Sequence, residues 1–105
     1  MISIAICDDE SYMLNHLKEN IELYMKQNNL SYNIELFDKA EDLLCNHEKF
    51  NIVFLDIQME DINGMQTARE LRIYGNDCFI IFVTVLNEFV FDAFEVDAIN
   101  YLIKK

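Results

Sequence analysis

The sequence predicts an α/β domain built on one five-stranded parallel sheet with helices on both faces. Three observations carry that expectation. Ile52–Leu55 and Cys78–Val83 are short apolar runs without alternation, the pattern of strands covered on both sides. Segments with apolar residues at spacings of three and four lie between such runs, so strand and helix patterns alternate along the chain. Acidic residues, Asp8 and Asp56, stand where two of these strands leave the core.

Ile2–Cys7 is a β-branched run that stops at Asp8, Asp9 and Glu10. A helix follows with Leu14, Leu17, Ile21, Tyr24 and Met25 on one face, ending near Asn28-Asn29, residues that tolerate a left-handed cap. Tyr32–Phe37 alternates, as an edge strand does. Asp38 and Glu41 have the spacing of a capping box for a short second helix through Leu43 and Leu44. After the Asn51–Asp56 strand comes a polar loop, Gln58 to Gly64. A third helix, about Met65 to Tyr74, turns Ala68 and Leu71 inward and ends at Gly75-Asn76-Asp77. Cys78–Val83 is the fourth strand. Asn87 is placed to cap a fourth helix reaching about Val96, and Ile99–Ile103 is the fifth strand.

Composition sets bounds. A chain of 105 residues holds one domain and buries roughly two thirds of its unfolded surface. Nineteen acids against eight Lys and Arg give a net charge of −11, which repels phosphate backbones and suits cations and basic partners. Direct contact with DNA is therefore disfavoured. No apolar run approaches the ~20 residues that span a bilayer, and no signal peptide is visible, so the expected location is the cytoplasm. Cys7, Cys45 and Cys78 lack metal-ligand spacing and read as buried, reduced thiols.

Right-handed crossovers leave the flavodoxin-like strand order 2-1-3-4-5 as the leading topology. It makes the first and third strands neighbours, about 4.8 Å apart. Asp8, Asp9 and Asp56 then crowd one corner of the crevice at the strands' carboxyl ends, with Glu10 nearby. Carboxylates that close repel unless a cation sits among them. Oxygen-only donors favour Mg²⁺, or Mn²⁺, over zinc. Thr84 ends the fourth strand beside Asp56, and Lys104 is long enough to reach back from the fifth, roughly 10 Å away. Such a crevice can accept a phosphoryl group, with Asp56 as nucleophile and the metal and Lys104 neutralising the oxygens. Taken singly, each residue has an ordinary reading: Asp8 or Asp9 as a helix N-cap, Thr84 as a satisfied hydroxyl, Lys104 as a solvated cation. Their coincidence at the ends of four strands favours the functional one.

These residues carry a resemblance. The chain resembles the receiver domain of two-component response regulators, with its CheY-like fold, over essentially its whole length. The resemblance implies that Asp8-Asp9 is the acidic metal-binding pair and Asp56, in Phe-Leu-Asp-Ile-Gln-Met, the phosphoacceptor. It implies that the backbone carbonyl of Gln58 ligates the metal, that Thr84 and Tyr101 form the switch, and that Lys104 is the family's lysine. Tyr101 and Lys104 are three apart and leave opposite faces of their strand, so Tyr101 faces the fourth helix while Lys104 faces the phosphoryl. Thr84 drawn toward a phosphoryl would open space for the aromatic ring. Ala93–Leu102 is similar in wording to receivers that carry a LytTR-type DNA-binding output domain. The implied partners are a sensor histidine kinase and, through an output domain not present here, DNA; no membrane is implied.

Three departures stand out. Glu60 and Lys105 replace prolines, and the family's fifth helix does not follow Lys105. A cis bond before a non-proline residue costs roughly 3 kcal/mol, which argues against one between Lys104 and Lys105. The expected unit is residues 1–105 as a receiver truncated before its last helix. Part of a sheet face would then be uncovered, and the fourth helix carries Phe89, Val90, Phe91, Phe94 and Val96. Both features point to self-association on the fourth-helix and fifth-strand side. The function expected is phosphorylation-controlled signalling, with no chemistry beyond the chain's own phosphorylation and dephosphorylation. A degenerate receiver that only binds partners is the alternative. An aspartate-nucleophile phosphatase is less favoured, because Gln58 stands where such enzymes need a second carboxylate. A flavin carrier on the same strand order needs a phosphate loop where Asp8, Asp9 and Glu10 stand.

Overall fold

The computed structural model describes residues 1–104, so the expectation placed on the Lys104–Lys105 peptide lies outside the described residues. The chain alternates between β1 (Ile2–Cys7), α1 (Ser11–Gln27), β2 (Tyr32–Phe37), α2 (Ala40–Cys45), β3 (Ile52–Leu55), α3 (Gly64–Ile73), β4 (Phe79–Thr84), α4 (Val90–Glu95) and β5 (Asn100–Ile103). A single 3-10 turn, His47–Lys49, follows α2. The strands form one sheet in the order β2-β1-β3-β4-β5. All pairs are parallel, with Cys7 opposite Leu55, Leu55 opposite Phe82 and Thr84 opposite Ile103. That register gathers the carboxyl ends of β1, β3, β4 and β5 along one edge.

Residues of alternate parity along each strand face opposite sides. Ala5, Cys7, Val53, Leu55, Ile80 and Phe82 belong to the main core, together with Leu43 of α2, Met65, Ala68 and Leu71 of α3, and Ala93 of α4. The other face carries Ile4 and Ile6, fully buried under α1 with Leu14 and Met25. Toward β5 this second face opens: Ile52, Phe54 and Ile81 are half-buried, while Phe79 and Leu102 are exposed. The Ile52–Leu55 and Phe79–Thr84 strands are thus covered fully on one side and unevenly on the other, where Val83 is buried but Phe79 is exposed. An apolar recess between α1 and β3, bounded by Ile4, Ile21, Tyr24, Met25, Ile52 and Phe54, marks where cover ends. Tyr24, expected inward, lies at its rim and is largely exposed.

Local signals set most element ends. Asn28 closes α1 by donating its backbone N–H and its side-chain amide to the Tyr24 carbonyl, and Asn29 takes φ of 54°. The Asn63 side chain accepts the Gln66 N–H at 2.9 Å and opens α3. Two expectations are corrected. α2 has no Asp38–Glu41 capping box: Lys39 precedes the helix without a side-chain cap, and the Glu41 N–H donates to Asp61 Oδ2 at 3.1 Å. α4 does not begin at Asn87 but at Val90, and it spans six residues. The intervening chain is held against the sheet by the Leu86 backbone, whose N–H donates to Thr84 and whose carbonyl accepts from Tyr101, and so is not free to coil. Cys7 and Cys78 are buried as expected, and burial pushes both thiols up; Cys45 is exposed instead. Its place at the last position of a short surface helix gives it nothing to pack beneath.

Candidate functional site

β1 delivers Asp8 to the edge of the sheet because its backbone N–H continues the ladder, donating to the Phe37 carbonyl. Asp56 is placed the same way, its N–H donating to Cys7. Both acids are almost wholly buried, as is Thr84. The turn after Asp56 is shaped by Gly64, which donates to the Ile57 carbonyl at 2.8 Å. A Cβ on Gly64 would overlap the Asp56 carbonyl and Ile57, so only glycine lets α3 start this close to the acid. β5 ends with the Lys104 N–H donating to the Thr84 carbonyl at 2.8 Å, which aims the side chain back across β4.

The Lys104 ammonium lies 2.8 Å from Asp8 Oδ2, 3.0 Å from Asp56 Oδ2 and 3.4 Å from Glu10 Oε1, with its side chain 6% exposed. The reach from the fifth strand to the third is therefore made. Asp56 Oδ1 accepts from the Gln58 N–H at 3.3 Å, and Asp8 Oδ1 from the Glu10 N–H at 2.9 Å. Burial pushes the Asp8 carboxyl up against the opposing pull of Lys104 and the Glu10 N–H. Burial alone would lower the Lys104 ammonium, but its bonds to Asp8 and Asp56 outweigh it and hold the ammonium above its usual range. Neither Asp8 nor Asp9 is the N-cap of α1; Glu10 holds that position without a side-chain cap.

Carboxylate oxygens of Asp8, Asp9 and Asp56 all lie within 4.8 Å of one another. Asp8 Oδ2 is buried and, although paired with Lys104 by distance, has no aligned hydrogen-bond donor. Three clustered carboxylates offer hard oxygen donors, a set that fits a hydrated divalent cation such as Mg²⁺. Asp9, Glu10, Gln58, Glu60 and Val85 line the crevice in front of Asp56.

Thr84 and Tyr101 are joined through the backbone of one residue, Leu86. Thr84 Oγ1 accepts the Leu86 N–H at 3.2 Å, and the Tyr101 hydroxyl donates to the Leu86 carbonyl. The Tyr101 ring packs on Phe82 with centroids 5.8 Å apart. It lies on the α4 side of the sheet, opposite in parity to Lys104, as its spacing requires.

A sequence model of the response regulator receiver domain matches residues 4–105. The chain belongs to that family. The receiver is 31% identical over 107 residues to the sensory transduction protein LytT of Oceanobacillus iheyensis, covering 98% of this chain and 42% of the relative. It therefore spans less than half the length of that curated relative. Among solved structures it is similar to the response regulator TrrA of Thermotoga maritima in complex with Mg²⁺ and BeF, with a TM-score of 0.83 and 28% identity. That likeness covers all of this chain and 88% of TrrA. The BeF3-activated DrrB receiver domain gives a TM-score of 0.82 at 28% identity, covering 99% of this chain and 85% of its own. The CheY-like arrangement expected from the strand pattern is thus the fold of the family.

Sequence reasoning placed Glu10 only as a neighbour and missed its contact with Lys104. It also missed the Leu86 peptide, which carries no side-chain signal, and Arg72, which donates to the carbonyls of Asn76, Cys78, Val96 and Asp97 and ties α3 to the end of α4. Asp61 is exposed, and the backbone amides of Ile62, Glu41 and Ala40 hold its carboxyl below the usual range, outweighing the slight loss of water around it.

Proposed function

We propose that this receiver accepts a phosphoryl group on Asp56 from a sensor histidine kinase and uses it to bias the arrangement of Thr84, Leu86 and Tyr101. The observation that carries the reading is the meeting of three strand ends, with the Asp8 and Asp56 carboxylates within 3.0 Å of the Lys104 ammonium. A buried carboxylate with a free lone pair can attack phosphorus. The new P–O bond forms on Asp56, the P–N bond of the phosphohistidine breaks, and the leaving imidazole takes up a proton. Lys104 would pair with the phosphoryl oxygens, and Thr84 would approach them as a hydroxyl donor.

Asp8, Asp9 and Asp56, with the Gln58 carbonyl, would hold Mg²⁺, or Mn²⁺ in its place. When bound, such a cation supplies charge neutralisation at the phosphoryl oxygens. If Thr84 turns toward the phosphoryl, its bond to the Leu86 N–H is lost, and the loop that also anchors Tyr101 is released. That is a shift between two packings driven by new charge-assisted bonds.

The likeness to LytT-type proteins supports a role in transcription control, exerted by a DNA-binding output domain outside this chain. The charge of −11 makes the receiver itself a poor ligand for DNA. No helix of the described residues is long and apolar enough to cross a membrane, in keeping with a cytoplasmic module. Phe91, Phe94 and Ile99 are exposed along α4 and the approach to β5, where a second copy would dock.

Intact-mass spectrometry after incubation with acetyl phosphate tests the acceptor reading. Wild type should gain one phosphoryl group with Mg²⁺ and none with chelator, and Asp56→Asn should gain none. A gain that survives in Asp56→Asn, or no gain in wild type, would overturn the assignment.

A further inference from the structure

Lys104 carries three N–H groups and has three carboxylate neighbours. Two of them, Asp8 and Asp56, are buried and lie at 2.8 and 3.0 Å. The third, Glu10, sits at 3.4 Å with its side chain 63% exposed. Its backbone is nonetheless fixed. The Glu10 N–H donates to Asp8 Oδ1 at 2.9 Å, and its carbonyl accepts from Leu14 at 3.2 Å as α1 begins. The side chain is thus hung from an anchored point over the crevice mouth, facing the cation.

A phosphoryl on Asp56 brings several oxygens that need the same ammonium. Asp56 keeps its place by carrying that group, and Asp8 lies deeper in the acidic corner. Glu10 is the partner that must yield. Its pair with Lys104 is exposed and long, so water screens it and it holds weakly. That is enough to set where the ammonium rests, and too little to hold it against a phosphoryl dianion.

We infer that Glu10 is a positioning residue for Lys104: its carboxylate tethers the ammonium at the crevice mouth before phosphorylation and slows its transfer to the incoming phosphoryl. The inference rests on the acceptor reading of Asp56. Glu60 supplies the control, since it lines the same crevice with the same charge but is not among the ion-pair partners of Lys104.

The test compares Glu10→Gln with Glu60→Gln in this chain at low ionic strength. Phosphorylation by acetyl phosphate is followed at saturating Mg²⁺, and the Lys104 ammonium by ¹H–¹⁵N NMR without phosphodonor. Both residues are exposed, so both variants should keep the wild-type melting temperature. Glu10→Gln should phosphorylate about three- to fivefold faster than wild type and shift the ammonium resonance, while Glu60→Gln should change the rate less than twofold and leave the resonance in place. Equal rates in the two variants would reduce the effect of Glu10 to general field and overturn the tether, as would an ammonium resonance unmoved by Glu10→Gln. A wild type that takes up no phosphoryl overturns the acceptor reading instead, and the resonance comparison still decides whether Glu10 holds Lys104.

Discussion

The two faces of the sheet are built to different standards. On one, three helices cover β1, β3 and β4, and Leu43, Leu55, Leu71, Ile80 and Phe82 are wholly buried. On the other, α1 is the helix over β1 among the described residues, and beyond it Val83 stays buried while Phe79 and Leu102 are exposed. The acidic crevice sits at the edge common to both. Its acids are positioned by backbone bonds of the sheet and by Gly64 on the covered side, while Lys104 reaches them from the opposite parity. The crevice thus takes its backbone frame from the sheet and the covered face, and its lysine from the other parity.

That difference can be broken or sharpened by substitution. The largest effect is expected for Phe82→Ala, which empties a fully buried site on the covered face and should destabilise by about 3–5 kcal/mol in urea denaturation. Gly64→Ala comes next. The new methyl group meets backbone that cannot turn away, and a loss of about 1–3 kcal/mol is expected, with slower phosphorylation of Asp56 as the loop shifts. Asp61→Ala removes the acceptor that opens α2, and a loss of about 0.5–1 kcal/mol at neutral pH is expected, small because the carboxylate is exposed. The pH dependence has a definite sign. The folded state holds the Asp61 carboxyl below its usual range, so the stabilisation is present above the ordinary carboxylate pKa and vanishes as pH falls through the lowered folded value. Stability curves of wild type and Asp61→Ala should thus converge in acid; a gap that persists there would mean the loss comes from packing. The smallest effect is expected for Phe79→Ala on the open face, about 0.5 kcal/mol or less, since the ring is 55% exposed. A loss comparable to that of Phe82→Ala would mean the open face is covered in solution.

What the sequence disclosed follows the same division between near and far. β1, β3 and the acids that end them were legible because a strand run and its terminal residue are neighbours in the chain. The end of α1 at Asn28-Asn29 was local for the same reason. The start of α2 was not, because its amide is satisfied by Asp61, 20 residues on. The delayed start of α4 depends on Tyr101, 15 residues beyond the Leu86 carbonyl it binds. Glu10 and Lys104 are separated by 94 positions, and only the strand order brings them together. The half-open character of β3 was equally hidden: Ile52–Leu55 has the composition of a strand covered on both faces, and composition does not say whether a second helix arrives.

The link between Thr84 and Tyr101 runs through the main chain of residue 86. Every amino acid except proline offers that N–H and that carbonyl. An alanine scan would therefore pass over the connection, recording at Leu86 only the loss of an aliphatic side chain. Cutting the connection takes Leu86→Pro, or an ester in place of the amide, and its genetic signature would be tolerance of nearly every residue at a position that nonetheless joins the two halves of the site.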